Sequence, residues 1–304
     1  MRLLDDGGEC ELWMSNPLFL DRLLELIKKD LSNPSQEMFS AEEAKLFYDK
    51  DTLIRIKETL KIMPKARHRK EISILLPAYN EALHIEDCIR QVENAICPIS
   101  NSYEIIVAED GSTDGTDRIV ENVSKHNPNL ALLHSSIRLG KGKALKNALK
   151  EANGDIIIFM DVDLATSLKH LPRILQVAKE TRGMVIGSRH VEGSRVKRRT
   201  SRTVFSLLYN FFVRILFLDG VHDHQCGFKA MSRQASKALS STKSDDFFFD
   251  TEMIVRCKQL GFPVVEVGVE WTETKLENTS KVRLLSDGKK IGLDMLRFRL
   301  NITK

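Results

Sequence analysis

The chain has 304 residues, 42% of them hydrophobic and 29% charged, with a formal net charge of +4. That composition is globular and excludes wholesale disorder or collagen-like architecture. The charge is too mild to mark a nucleic-acid binder, so no nucleic acid is expected as a partner. The length suits one large α/β domain with a small appendage.

Residues 1–68 read as a helical N-terminal extension, with helix-spaced Leu20, Leu23, Leu24 and Ile27, then Ala44, Phe47, Leu53, Ile56 and Leu60. It opens without a leader-like apolar segment. A polar linker around 64–70 leads into a domain expected over 69–281. There Ile72–Leu76 is an apolar run ending at Pro77, which predicts a buried parallel strand. Asn80 is placed to cap a helix with Ile85, Cys88, Ile89, Val92 and Ile96 on its buried face. A second strand at Glu104–Ala108 is followed by helix-spaced Ile119, Val120 and Val123. Strand Leu130–Leu133 with helix Lys143–Ala152 makes a third unit, and strand Ile156–Met160 follows. A further strand is expected at Met184–Ser188. This alternation predicts a Rossmann-like, mostly parallel sheet flanked by helices, with ligands at the carboxyl ends of the strands.

Two basic clusters stand out. Arg195, Lys197, Arg198, Arg199 and Arg202 precede an apolar stretch at 203–218, and residues 281–304 hold seven Lys/Arg against two Asp. The 203–218 stretch predicts a helix, packed in the core or lying in a membrane interface, and 282–304 a basic amphipathic C-terminal segment. An anionic membrane surface is therefore an expected partner. No run of about 18 uninterrupted apolar residues occurs to suggest a transmembrane helix. Five scattered cysteines without a CxxC pair suggest a reduced chain. Together these predict a cytoplasmic protein, peripheral on the cytoplasmic face of the membrane.

The strand ends are acidic. There is no GxGxxG after a strand and no GxxxxGK[ST] loop, which disfavours a dehydrogenase or an ordinary ATPase. Asp161-Val162-Asp163 follows the Ile156–Met160 strand, and alternation along an extended chain would turn both carboxylates to one side. Two hard oxygen ligands there suit Mg2+ or Mn2+, with substrate phosphates completing the shell.

Pro77-Ala78-Tyr79-Asn80-Glu81, Glu109-Asp110-Gly111-Ser112-Thr113-Asp114 and Asp161-Val162-Asp163 resemble successive motifs of family 2 glycosyltransferases with the GT-A fold. Gly187-Ser188-Arg189, Asp223-His224-Gln225-Cys226-Gly227-Phe228-Lys229, Phe249-Asp250-Thr251-Glu252 and Trp271 through Lys281 narrow the resemblance to dolichyl-phosphate glucose and mannose synthases. It covers roughly residues 70–285 and leaves the N-terminal extension unmatched. The membrane anchor of many such synthases and the QxxRW motif of processive polysaccharide synthases are not found.

The resemblance implies an inverting enzyme that moves one sugar from a nucleotide sugar to polyprenyl (dolichyl) phosphate. UDP-glucose or UDP-N-acetylglucosamine is favoured over GDP-mannose. It places Pro77, Tyr79, Glu81, Glu109 and Asp110 in the base and ribose pocket, with the Tyr79 ring stacking on a pyrimidine. Lys141 and Asp161-Val162-Asp163 fall at the diphosphate. Members mostly carry Asp at position 109, where this chain has Glu. Arg189, Arg202 and Ser206 are implied to bind the acceptor phosphate, and Arg-x-x-x-Ser puts guanidinium and hydroxyl on one helix face. Asp223 is read as an orienting or electrostatic catalytic group first and as a base second, with Lys229 as its candidate ion-pair partner. His222 and His224 read as bystanders. Two rivals stay open: a family 2 enzyme acting on a glycan or protein hydroxyl, and a non-catalytic nucleotide-sugar-binding subunit.

Overall fold

The computed structural model describes residues 69–197, 200–245, 248–273, 292 and 295–300, without the side chains of 200–206 and 208. The chain divides into two units, Met1–Arg67 and His68–Lys304. The helices expected over 1–68 lie outside the described residues, as does 274–291.

Three consecutive β-strand/α-helix units come first. They comprise β1 (Lys70–Ala78), α1 (Ile85–Ile96), β2 (Tyr103–Asp110), α2 (Thr116–Ser124), β3 (Leu130–Ser135) and α3 (Lys141–Glu151). Then follow β4 (Gly154–Phe159), α4 (Leu171–Thr181), β5 (Met184–Ser188), β6 (Arg195–Lys197) and α5 (Thr200–Phe217). The remainder is β7 (Lys229–Ser232), α6 (Lys237–Ser240), α7 (Phe249–Gln259), β8 (Val264–Gly268) and β9 (Glu270–Thr272). The main sheet has seven strands in the order β3-β2-β1-β4-β7-β5-β8. Ile74 of β1 lies opposite Ile105 of β2 and Ile158 of β4, all in parallel register. These β-branched residues are fully buried, as a strand covered on both faces requires.

The helix after β1 buries the five residues its spacing predicts, but Asn80 does not cap it. Asn80 is left-handed, with φ of 53°. Its side-chain carbonyl accepts from the Thr113 N–H at 2.8 Å, and the helix opens four residues later, after His84. The pull of a partner loop wins over local capping.

One strand breaks the parallel pattern. Antiparallel to both neighbours, β7 slots between β4 and β5, pairing Ala230 with Ile158 and with Val185. Its first residue, Lys229, is wholly buried and donates to Asp250 at 2.5 Å and to the Cys226 carbonyl at 2.7 Å. The expected pairing of Lys229 with Asp223 is thus corrected: Asp250, at the start of α7, takes the ammonium.

A second cluster gathers Val213 of α5, Phe248, Val255 of α7, Met295 and Phe298. The Phe298 ring sits 5.6 Å from Phe248 and 5.7 Å from Phe217. Of the C-terminal segment expected to face a membrane, 295–300 is helical and turns Met295 and Phe298 inward, while Leu296 and Leu300 stay exposed. Lys289 and Lys290 lie outside the described residues. A small ribbon completes the fold. Strand β9 pairs with β6 on one side, and on the other its Thr272 N–H donates to Ala165 and its Glu270 carbonyl accepts from Ser167, each at 2.9 Å.

Lys229→Met should destabilise the protein by about 3–5 kcal/mol, because it strands a buried carboxylate. Chemical denaturation of the single and the Lys229→Met/Asp250→Leu double variant checks this, with the double expected to recover much of the loss.

Candidate active site

The parallel strands end in acidic residues along one edge of the sheet. After β1, the Asn80 N–H donates to Ser112 Oγ, the Glu81 N–H to Thr116 Oγ1 and the Ala82 N–H to Asp114 Oδ2, at 2.9–3.0 Å. The turns after β1 and β2 are thereby laced together. Gly111 lets the loop after β3 approach this turn closely. Its φ is 72°, and a Cβ there would meet the Ile137 carbonyl carbon at 2.5 Å.

Glu109 and Asp110 are buried and spend their oxygens on the protein itself. Glu109 accepts from the Ser112 N–H and contacts His134 Nδ1 at 2.6 Å. Asp110 accepts from the Leu139 N–H at 2.6 Å and the Gly140 N–H at 3.0 Å. Both were expected to meet the nucleotide; their oxygens here hold the neighbouring loops in place. Asp110 fixes the loop that delivers Arg138 and Lys141. The Arg138 guanidinium lies over the Tyr79 ring, 4.1 Å from its centroid. Pro77 is half-buried on β1, opposite Ala108.

Lys141, at the start of α3, reaches Asp161 at 2.6 Å. The strand stops at Phe159, so Asp161 and Asp163 do not alternate along an extended chain as expected. They occupy a turn closed by the Leu164 N–H on the Asp161 carbonyl at 3.2 Å. Leu164 is left-handed, with φ of 46°. Asp163 accepts from the Ala165 N–H at 3.0 Å. Val162 is buried, so only its backbone is available to a ligand. Burial and the Asp161 charge raise the Asp163 carboxyl, and Glu81 adds to the repulsion. Burial also pushes Asp161 up, but the Lys141 ammonium, helped by Lys229 and Arg189, holds it below its ordinary value.

Among the described residues no three His, Cys, Asp or Glu side chains gather at one point, so a divalent cation here would rest on the two carboxylates and need substrate oxygens to complete its shell. Two carboxylates repel one another across a turn, and the neighbouring ammonium already meets one of them. Gly227, from the antiparallel side, leaves room for the group: a Cβ there would lie 1.8 Å from Asp161 Oδ2. Trp271, Thr166 and Phe228 line the same cleft.

On the far side of the cleft Arg189 follows β5. Its Nε and Nη2 donate to the two Asp223 oxygens at 2.7 and 2.8 Å, and its own N–H to Oδ2 at 2.9 Å. The pair is almost wholly buried, and the Trp271 ring lies 5.7 Å from the guanidinium. Burial pushes the Asp223 carboxyl up, yet the Arg189 hydrogen bonds and charge override this and hold it at about 2. Both oxygens of Asp223 are engaged by Arg189, and the carboxylate holds that guanidinium in place. Asp223 is itself oriented by Glu266 of β8, which accepts its N–H at 2.9 Å.

Arg202 and Ser206 lie on α5 as expected, but their side chains are outside the described residues. His222 contacts Glu266 at 2.8 Å and His224 is buried beside Asp219, away from the acidic turn. Sequence reasoning gave no role to Arg138, Glu266 or Trp271; only the tryptophan carries a signal strong enough to have been assigned one.

A family model described as glycosyl transferase family 2 matches residues 73–240. Glycosyltransferase AglD of Haloferax volcanii is 38% identical over 232 residues, 75% of this chain and 36% of that protein. The dolichyl-phosphate beta-glucosyltransferase of Dictyostelium discoideum is 31% identical over 75% of this chain and 73% of its own length. Among solved structures, glucosyl-3-phosphoglycerate synthase from Mycobacterium tuberculosis superposes with a TM-score of 0.54 at 22% identity, covering 76% of this chain and 80% of that one.

Asp223→Asn should cost on the order of 3 kcal/mol at neutral pH, since it leaves a buried guanidinium short of its counter-charge. The folded-state carboxyl titrates at about 2 against an ordinary 3.8, so its contribution is complete above the ordinary value and fades as the pH falls towards the lower one. Denaturation curves of the two proteins should converge over that acid range.

Proposed function

The chain belongs to glycosyl transferase family 2, a glycosyltransferase with the GT-A fold, and from that premise we propose that it transfers one sugar from a nucleotide donor to a polyprenyl phosphate. The names of the relatives favour glucose and a dolichyl-type acceptor. UDP-glucose is the first donor to test, then UDP-N-acetylglucosamine, then GDP-mannose.

One observation supports this reading: a carboxylate pair in the turn after β4, with the Lys141 ammonium on Asp161 and the Lys229 and Arg189 charges also lowering it. Asp161 and Asp163 would hold Mg2+ or Mn2+, which neutralises charge on a leaving diphosphate when bound. Lys141 adds a positive charge for the same group. On the acceptor side, the Nε and Nη2 of Arg189 are taken by Asp223, which leaves Nη1 uncommitted among the described residues. With Arg202 and Ser206 it would receive the acceptor phosphate. Such a phosphate, with a second pKa near about 6, is largely a dianion at neutral pH and attacks without a base. In-line attack inverts the anomeric carbon and gives a β-linked product from an α-linked donor.

The acceptor's apolar tail also has a place. A cavity of about 460 Å³ is lined by His190, Leu207, Asn210, Phe211, Arg214 and His222. It opens along α5, where Leu207, Phe211, Phe212 and Ile215 are exposed. Among the described residues no helix is long and apolar enough to cross a membrane. Peripheral attachment to the cytoplasmic face through α5 fits a lipid-borne acceptor.

Incubation with radiolabelled nucleotide sugars, Mg2+ or Mn2+ and dolichyl phosphate should yield a labelled lipid. Asp163→Ala should lower that yield by about two orders of magnitude or more, the scale of losing a charge-stabilising group. Excess chelator should do the same to the parent. Chelator-resistant activity unaffected by the substitution would overturn the metal assignment.

A Phe211→Ser/Phe212→Ser/Ile215→Ser variant should leave the pellet when spun with anionic vesicles at low salt, whereas the parent stays in it. Retention of the variant would remove α5 from the membrane contact.

A further inference from the structure

Arg138 has no assigned role, and its placement is unusual for an exposed arginine. A solvated guanidinium on a loop ordinarily samples many rotamers, and fixing it costs entropy. Here the backbone beneath it is held from two sides. Asp110 receives the N–H groups of Leu139 and Gly140, and Ser135 Oγ donates to the Ile137 carbonyl at 2.7 Å. Gly111 lets this segment approach so closely that a Cβ there would lie 2.6 Å from the Arg138 nitrogen. The side chain then lies over the Tyr79 ring at 4.1 Å, while among the described residues no carboxylate pairs with it. Three residues further on, Lys141 rests on Asp161. One short loop therefore places a planar cation over the tyrosine of the first strand end and a point charge at the metal-type carboxylates.

We propose that Arg138 is a nucleobase-binding residue, its guanidinium forming with Tyr79 a stacked platform on which the base of the donor lies. This rests on the nucleotide-sugar reading above and changes one part of it. Tyr79 does not offer the face covered by Arg138 to the base; it supports the guanidinium that does. A guanidinium plane stacks well on aromatic surfaces, and a base presents such a surface whatever its edge pattern. Binding through Arg138 is consequently tolerant of base identity, and discrimination between uridine and guanosine donors falls to other groups. The plane matters more than the charge, so lysine is no substitute.

The test is calorimetric titration of the full chain with UDP, GDP and inorganic pyrophosphate in the presence of Mg2+. Arg138→Ala and Arg138→Lys should each weaken UDP and GDP by about tenfold, the scale of losing one base-stacking contact, and leave pyrophosphate within about twofold. Tyr79→Leu, which removes the support, should show the same selective loss. Arg138 is exposed and its backbone contacts do not involve its side chain, so thermal unfolding should be unchanged in both of its variants. Equal weakening of pyrophosphate, or rescue by lysine, would mean that Arg138 acts as a charge for the diphosphate and would overturn the proposal. Unchanged UDP affinity would overturn it as well. A parent protein that binds none of the nucleotides would instead defeat the nucleotide-sugar reading on which this rests.

Discussion

Negative charge crowded on one edge of the sheet is the constraint from which the rest follows. Parallel strands buried on both faces must end together, and in this chain three of them end in carboxylates. Left unmatched, such a concentration would destabilise the fold by mutual repulsion. Two of the carboxylates, Glu109 and Asp110, are engaged by hydrogen bonds from neighbouring loops and a histidine. Asp161 is met by Lys141, whereas Asp163 remains pressed upward by its neighbour. The residual imbalance sits where a bound cation would relieve it.

Burial separates the ion pairs that only join the fold from those that reach the cleft. Lys229–Asp250 and Arg189–Asp223 are both buried, and both join the strands beyond β4 to the segments around them. Lys229 has no exposure and serves the fold. Arg189 retains a donor and an aromatic wall, Trp271, at the cleft. Lys141, by contrast, is partly open to solvent and, in the proposed reading, belongs to the site.

Much of this was readable in the sequence because it depends on strong local patterns. Apolar runs with abrupt polar ends identified β1, β2 and β4, and five-residue helical spacing identified α1. Short elements carried no such pattern. β7 is four residues long and contains a lysine, so nothing in it suggested a central strand, although it is fully buried. The acidic motifs come together at one corner of the fold, but what each carboxylate bonds there is decided by partners distant in the chain. Asp110 bonds residues 29 and 30 positions later, and Asp223 meets an arginine 34 positions earlier. Capping by Asn80 was a local expectation that lost to Thr113, 33 residues away.

The ribbon strand β9 has a mechanical consequence. It is bonded on one edge to the segment just after Asp163 and on the other to β6, which begins the basic cluster. Trp271, at its centre, touches both sides of the cleft. A strand shared in this way acts as a strut between the two halves of the cleft. Displacing the acidic turn would break backbone hydrogen bonds or carry the basic strand with it, so neither half can open independently of the other.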